Sequence, residues 1–185
     1  MTIRLLGDRV VLRAFRESEH PLMWDRQIAE ADEPGGRDAP ERRERLYERL
    51  RGSGAWTPDE LRLAVEAGGT LVGDIQARRS AVAMPSGVTE LGIVLFRESQ
   101  GKGYGTDALR TLDRYLFEEE AFHRVQVSTD VDNIAMRHVA EKAGFAYEGI
   151  LRGFWREGDA LRDYAMYGRT LADHQGSRAD RVGSP

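Results

Sequence analysis

The sequence predicts an α/β protein, of α+β arrangement, in which helices flank a mixed and mainly antiparallel central sheet. Three observations support this fold class. An apolar, β-prone run at residues 91–96 leads into alternating glycines and then into a helical pattern. Two strand-like runs, at 61–67 and 71–77, are joined by two glycines, which is a hairpin signal. A second strand and helix follow at 125–129 and 133–144.

The N-terminal part of the chain has the pattern of a short hairpin followed by two helices. Its apolar or alternating runs are interrupted by glycine, proline and acidic residues, which mark turns and helix starts. In chain order the predicted segments are strands at 2–6 and 9–15, a helix capped by Ser18, a loop at 31–39, and a highly charged helix from Pro40 to about residue 51.

The C-terminal part completes the sheet. The helix after the glycines has one apolar face, formed by Ala108, Leu109, Leu112, Tyr115 and Leu116. Strands are predicted at 146–151 and 161–171, joined by a turn at 156–159. Residues 176–185 are polar and are predicted to be a disordered tail. The sequence therefore predicts one domain, residues 1–175, followed by that tail.

The glycine-rich segment is the strongest chemical signal in the chain. Gly101, Gly103 and Gly105 alternate directly before a helix, so unpaired backbone N–H groups lie at the positive end of a helix dipole, which suits phosphate oxygens. The segment lacks the Gly-x-x-x-x-Gly-Lys-Ser/Thr run of a Walker loop. It also lacks the third glycine of a dinucleotide fingerprint, because Thr106 stands there.

Two motifs carry a family resemblance. Gln100-x-x-Gly103-x-Gly105 resembles the pyrophosphate loop of the GCN5-related N-acetyltransferases (GNAT family). The segment from Asn133 to Phe145 resembles a second motif of that family in order and spacing. Residues 148–152 and 163–167 look like the branch that acetylates the N-termini of ribosomal proteins. The resemblance is strongest over about residues 71–167 and weak before them.

The resemblance implies a GNAT-type sheet with a splayed coenzyme-binding strand. It further implies that acetyl-CoA is the acyl donor, with its pyrophosphate on the glycine loop and its pantetheine arm along the central strand. Asn133 would face that arm or cap its own helix. The implied coenzyme-binding residues are Ile93, Val94, Leu95, Gln100, Gly101, Lys102, Gly103, Tyr104, Gly105, Thr106, Asn133 and Arg137.

A primary amine is the expected acceptor, either a protein N-terminus or a small molecule. Such amines are mostly protonated at neutral pH, and Glu90 is the candidate general base. Three positions depart from the family pattern, because residues that supply acids or bases in relatives are replaced by Ala140, Met136 and Trp155. A catalytically weak acyl-CoA-binding or regulatory protein is therefore the alternative. An unrelated phosphate-binding domain fits only the first motif.

Composition and residue spacing exclude several other classes of function and of site. The net charge of −4 argues against general nucleic-acid binding, and the absence of cysteine excludes disulfides, thiolate metal sites and a cysteine nucleophile. The histidines lack metal-ligand spacing, although His138 lies on the second motif helix. No apolar run is long enough for a membrane span. A cytoplasmic protein without a metal is expected, and a homodimer remains open.

Overall fold

The protein is described from a computed structural model that covers residues 2–30, 40–79 and 84–182. The predicted loop at 31–39 and the last three residues lie outside this part. The strands are β1 (Leu5–Leu6), β2 (Val11–Arg13), β3 (Glu60–Ala67), β4 (Thr70–Arg78), β5 (Val88–Leu95), β6 (Arg124–Asp130), β7 (Ala146–Glu157) and β8 (Ala160–Thr170). The helices are α1 (His20–Glu30), α2 (Pro40–Arg51), α3 (Tyr104–Glu118), α4 (Ile134–Ala143) and α5 (Leu171–Val182).

The described strands form one sheet in the order β1-β2-β3-β4-β5-β6-β8-β7. Every neighbouring pair is antiparallel except β5 and β6, which are parallel. The predicted fold class is therefore confirmed: the sheet is mixed, mainly antiparallel, and flanked by helices.

Helices cover the two faces of the sheet unequally. The larger apolar core lies between the sheet and helices α3 and α4, and includes Leu91, Leu109, Leu112, Val125 and Tyr167. A smaller cluster lies on the opposite face, where side chains of α1 and α2 pack against Phe15, Ala64, Leu71 and Phe96. Beyond this cluster the second face is polar, which leaves room for a cleft.

The N-terminal hairpin is attached to α3 by one carboxylate. Asp107, in the first turn of α3, accepts hydrogen bonds from the backbone N–H groups of Asp8, Arg9 and Val10, at 3.2, 2.7 and 2.9 Å. A Cβ atom at Gly7 would lie 2.6 Å from an oxygen of Asp107, so the turn requires a glycine there. The start of α3, where the glycine loop ends, is thereby held firmly against the sheet.

Strands β5 and β6 separate after a short parallel contact. Only Val88, Thr89 and Glu90 of β5 pair with β6, whereas β5 remains paired with β4 through Leu95. The edge of β5 that faces β6 is consequently open from Leu91 onward. This is the splayed strand that the family resemblance implies.

The C-terminal region corrects two expectations. Strand β7 is longer than predicted, since it continues to Glu157, and it is joined to β8 by a turn at Gly158 and Asp159. The predicted disordered tail from Gly176 is wrong as far as Val182, because these residues continue α5. Thr170 and Asp173 form a reciprocal cap at its start: the carboxylate of Asp173 accepts from Thr170 N at 2.9 Å, and Thr170 Oγ1 accepts from Asp173 N at 3.3 Å.

Candidate active site

The glycine loop bends sharply between β5 and α3. Gly101 and Gly103 have φ angles of +73° and +82°, in the left-handed region that glycine adopts without steric cost. The side chain of Gln100 donates a hydrogen bond from Nε2 to the carbonyl oxygen of Leu95, at 3.0 Å, and so ties the loop to the end of β5. The glutamine of the motif therefore stabilises the conformation of the loop.

The start of α3 presents unpaired backbone donors. Gly103 is the N-cap residue, and no side chain caps the helix. The first bond of the helix runs from Asp107 N to Gly103 O, at 3.1 Å, so the amides of Tyr104, Gly105 and Thr106 have no partner within the helix. Such a set of amides at a helix N-terminus is an anion-binding site.

A groove of about 580 Å³ runs from this loop along the open edge of β5. One side is formed by Ile93, Val94 and Leu95 of β5, and the other by α4. Ten of the twelve predicted coenzyme-binding residues line it: Ile93, Val94, Leu95, Gln100, Gly101, Gly103, Tyr104, Gly105, Thr106 and Asn133. Helix α4 adds residues outside the predicted coenzyme-binding set: Ala135, Met136, His138, Val139 and Lys142.

Two predicted coenzyme-binding residues do not line the groove. The guanidinium of Arg137 instead forms hydrogen bonds within the protein: its Nε donates to Tyr167 Oη at 3.2 Å, and its Nη1 donates to the carbonyl of Val131 at 3.1 Å. This guanidinium connects α4 to β8 and does not line the groove. Lys102 is exposed, and its backbone carbonyl accepts a hydrogen bond from Arg9 Nη1 at 3.5 Å.

Asn133 lies where the groove meets a second cavity. Its Oδ1 accepts a hydrogen bond from Met136 N at 3.1 Å, so it is the N-cap of α4. It also lines both the groove and a cleft of about 680 Å³ on the polar face of the sheet. Helix capping and a position beside the coenzyme are therefore compatible roles for this residue.

Glu90 lies in the wall of that cleft and belongs to β5, which begins at Val88, three residues before the apolar run predicted from residue 91. The residue is only 9% exposed, and its carboxylate accepts three hydrogen bonds. Arg78 Nη2 and Ser128 Oγ each donate to Oε1 at 3.0 Å, and Gln126 Nε2 donates to Oε2 at 3.1 Å. Because Glu90 is the last residue of β5 that pairs with β6, its carboxylate sits where the strands separate.

The rest of the cleft combines charge with aromatic surface. Four carboxylates line it, those of Asp59, Glu60, Glu90 and Asp130, against the guanidinium groups of Arg78 and Arg79. An aromatic wall of Phe154, Trp155 and Tyr164 closes one side. The rings of Phe154 and Tyr164 are tilted at a centroid distance of 5.2 Å, and Trp155 is 57% exposed.

The three positions that depart from the family pattern are now located. Ala140 is fully buried in the core, Met136 lines the groove, and Trp155 belongs to the aromatic wall. None of them can transfer a proton. Tyr164 is a phenol that lines the cleft, and its pKa is raised by partial burial and by the charge of Asp130, which keeps the phenol protonated.

Several cleft residues were missed at the level of sequence. Strand β6 alternates strictly between polar residues on the cleft face and residues of the core face, and this alternation is a readable signal. Its polar members are Arg124, Gln126, Ser128 and Asp130. The pattern alone does not pair them with Glu90, because that pairing depends on the register between β5 and β6.

Two kinds of feature are absent from the described part of the chain. No group of three or more histidine, aspartate or glutamate side chains is arranged to hold a metal ion there. No helix in residues 2–30, 40–79 and 84–182 is long and apolar enough to cross a membrane.

A protein-family model decides the classification. The model for the acetyltransferase (GNAT) domain matches residues 9–146, which is well over half of the chain. This chain belongs to the GNAT acetyltransferase family. The glycine loop, the splayed strand and the Asn133 helix of this GNAT protein all lie within the matched region or at its end.

Two sequence relatives and one solved structure agree with this classification. YjcK of Bacillus subtilis, named as an N-acetyltransferase, is 35% identical over 77 residues, which are 38% of this chain and 42% of YjcK. YdaF of the same species, named as a ribosomal N-acetyltransferase, is 41% identical over 63 residues, 34% of each protein. The aligned stretches thus span less than half of either relative.

The fold of this GNAT protein is also similar to that of a coenzyme complex. Mycobacterium smegmatis RimJ, solved in complex with a CoA disulfide, superposes with a TM-score of 0.71 at 20% identity. The superposition covers 97% of this chain and 94% of RimJ. At this identity the similarity establishes the fold.

Proposed function

We propose that the protein transfers the acetyl group of acetyl-CoA to a primary amine. The observation that carries this proposal is the junction of the coenzyme groove and the cleft at Asn133, beside the point where β5 and β6 separate. A donor entering along the groove and an acceptor entering through the cleft would meet at this junction. The family and the names of both relatives support the same reaction.

The groove suits coenzyme A in two parts. The free amides of Tyr104, Gly105 and Thr106 would bind the pyrophosphate at the start of α3. The amide groups of the pantetheine arm would then pair with the open edge of β5 at Ile93, Val94 and Leu95, as an added strand does. Lys142, on the α4 side, places a positive charge on the groove wall.

The chemistry requires a neutral amine. Alkyl amines have a pKa near 10, so only about one molecule in a thousand is neutral at pH 7. Glu90 is the base at the junction, and it lies on the cleft side of the sheet. The amine attacks the thioester carbonyl, a backbone N–H of β5 stabilises the oxyanion, and the C–S bond breaks. A thiol with a pKa near 8.5 is a good leaving group as the thiolate, so the missing family acid is tolerable.

The cleft favours an acceptor that is cationic and carries apolar surface. Its four carboxylates outnumber its two guanidinium groups, and the aromatic wall offers faces to an ammonium group or to an apolar body. A protein N-terminus and a small-molecule amine both have this character. The similarity to YdaF supports the first, whereas a cavity of about 680 Å³ accommodates the second. A cytoplasmic location and a homodimer stay predictions.

Thiol release tests the proposal directly. The full-length protein is incubated with acetyl-CoA and a panel of amines, namely peptides with free N-termini, spermidine and 2-phenylethylamine, while the free thiol is followed. We expect thiol release that depends on at least one amine and yields the acetylated amine by mass spectrometry. Tight coenzyme binding without turnover of any amine would favour the alternative, a binding or regulatory protein.

A further inference from the structure

The hydroxyl group of Ser128 lies between the buried base and the cleft. Ser128 is on the cleft face of β6, two residues beyond Gln126, which is the last β6 residue paired with β5. It is therefore the first residue on this face after the strands separate. Its Oγ donates to Glu90 Oε1 at 3.0 Å, and the residue lines the cleft. A reacting amine at the junction would meet this hydroxyl.

Glu90 itself is poorly placed for direct contact with an amine. A carboxylate offers about four lone-pair positions, and three of those on Glu90 are occupied by Arg78, Gln126 and Ser128. The residue is also 9% exposed. By contrast, a serine hydroxyl that donates one hydrogen bond retains two acceptor lone pairs. Among the described residues, no donor to Ser128 Oγ is found.

We propose that Ser128 relays a proton from the acceptor ammonium group to Glu90, an inference that rests on the proposed acetyl transfer. One N–H bond of the ammonium breaks as its proton moves to Ser128 Oγ. The original hydroxyl proton of Ser128 moves at the same time to Glu90 Oε1. Serine is thereby regenerated, the carboxylate becomes a carboxylic acid, and the nitrogen gains the lone pair that attacks the thioester.

The remaining protons balance the reaction. After attack, the tetrahedral nitrogen loses a second proton as the C–S bond breaks, and one proton ends on the sulfur of free coenzyme A. The proton on Glu90 leaves through the cleft to solvent and restores the carboxylate. The sum is one ammonium ion and one acetyl-CoA converted to one amide, one coenzyme A thiol and one released proton.

The neighbours of Glu90 offer matched variants. Ser128→Ala removes the hydroxyl, whereas Ser128→Thr keeps it on the same backbone position. Gln126→Leu removes another hydrogen-bond donor to Glu90. Because an amide NH₂ group does not relay protons, this variant measures only how much the orientation of the Glu90 carboxylate contributes to activity. The double variant Glu90→Gln/Ser128→Ala tests whether the two residues act as one unit.

The experiment measures kcat/KM against pH with the best amine of the panel, and coenzyme affinity by calorimetry. We expect Ser128→Ala to lose about 10- to 100-fold in kcat/KM, toward the lower part of the usual acid–base effect. Ser128→Thr should stay within a few fold of the wild type. The double variant should be no slower than Glu90→Gln alone, and coenzyme affinity should be unchanged. In Ser128→Ala the rise of kcat/KM with pH should move toward the pKa of the free amine.

Three outcomes would overturn the relay. Full activity of Ser128→Ala, equal losses in Ser128→Ala and Ser128→Thr, or additive losses in the double variant would each show that the hydroxyl does not carry the proton. If the wild type binds coenzyme but acetylates no amine, the proposed function fails and the relay fails with it. An active wild type with an unimpaired Ser128→Ala variant removes the relay alone.

Discussion

The coenzyme groove and the acceptor cleft meet at Asn133 but present different chemical groups to a ligand. The groove offers mainly backbone: the amides at the start of α3 and the open edge of β5. The cleft offers side chains: carboxylates, guanidinium groups and an aromatic wall. A backbone site needs glycines and strand geometry at fixed spacing, so a short motif encodes it. A side-chain site depends on which residues the sheet brings together, so its chemistry can change while the groove stays the same.

The largest expected effect is on the groove. Replacing Gly103 by valine forces a β-branched residue to a φ angle of +82° and places a side chain where the pyrophosphate approaches. Loss of two or more charge-assisted hydrogen bonds, each worth about 1.5–3 kcal/mol, should weaken acetyl-CoA binding at least 100-fold by calorimetry.

Gly68→Val is the matched control for this variant. Gly68 also has a positive φ angle, +58°, with open space around it, but it lies in the turn between β3 and β4, away from the groove. It should lower stability by a similar backbone cost and leave coenzyme affinity intact. Equal affinity of the wild type and Gly103→Val would show that the glycine loop does not hold the coenzyme.

The second effect should fall on the cleft side of the junction. Glu90→Gln keeps the size of the side chain but cannot accept a proton, so kcat should fall about 100-fold, at the low end of acid–base effects. Coenzyme affinity should change little, because Glu90 lines the cleft and not the groove. Unaltered turnover in steady-state kinetics would remove the base assignment and leave proximity and the backbone donor as the catalytic means.

A smaller effect is expected at the aromatic wall. Trp155→Ala should raise the KM for a cationic amine about 2- to 30-fold, which corresponds to a cation–π contribution of about 0.5–2 kcal/mol. The KM for acetyl-CoA should not change. Leu161→Ala serves as control, because Leu161 is an exposed apolar residue of the same hairpin that does not line the cleft. Similar KM values for both variants would mean that the wall does not contact the acceptor.

The smallest effect on either site is expected from a buried pair of side chains that lines neither the groove nor the cleft. Asp113 of α3 is buried against Arg169 of β8, and burial raises the pKa of Asp113 to about 7 although Arg169 acts in the opposite direction. The folded carboxyl thus holds its proton up to about pH 7, whereas an unfolded aspartate releases it near pH 3.9. The free energy of unfolding should therefore fall as pH rises between these values.

Asp113→Asn isolates that contribution. Denaturant unfolding of this variant should show a flatter dependence on pH between about 4 and 7, because asparagine does not titrate. Coenzyme affinity and turnover at neutral pH should stay within a few fold of the wild type. An unchanged pH dependence of stability would show that the carboxyl of Asp113 is already ionised in the folded protein.

The sequence predicted the groove far better than the cleft, and the reason is local. Gln100, Gly103 and Asn133 act through turns and caps that neighbouring residues determine, so their positions follow from the motif. Arg137 shows the limit of this reasoning: its place in the motif is right, but its guanidinium is bound to Tyr167 on a distant strand. Only the tertiary structure decides whether this guanidinium reaches the groove or Tyr167.

The prediction of the fold was least accurate at the ends of helices and strands. Residues 176–182 have the composition of a tail, yet they continue a helix whose start is capped by Thr170 and Asp173. His174 in this helix packs against Phe117 at a ring distance of 5.1 Å and lies 3.1 Å from a carboxylate oxygen of Glu118. The cap was visible as Thr-x-x-Asp, but the contacts that fix the helix come from α3.

The open edge of β5 implies that a bound coenzyme would complete the hydrogen bonding of this strand. Amides of residues 91–95 that point toward β6 lack a strand partner, so they should exchange their hydrogens with solvent readily in the free protein and slowly once pantetheine covers them. A ligand that binds only the folded state stabilises it by about 2.7 kcal/mol at a concentration 100 times its Kd. Acetyl-CoA at such a concentration should therefore raise the free energy of unfolding of this protein by about that amount.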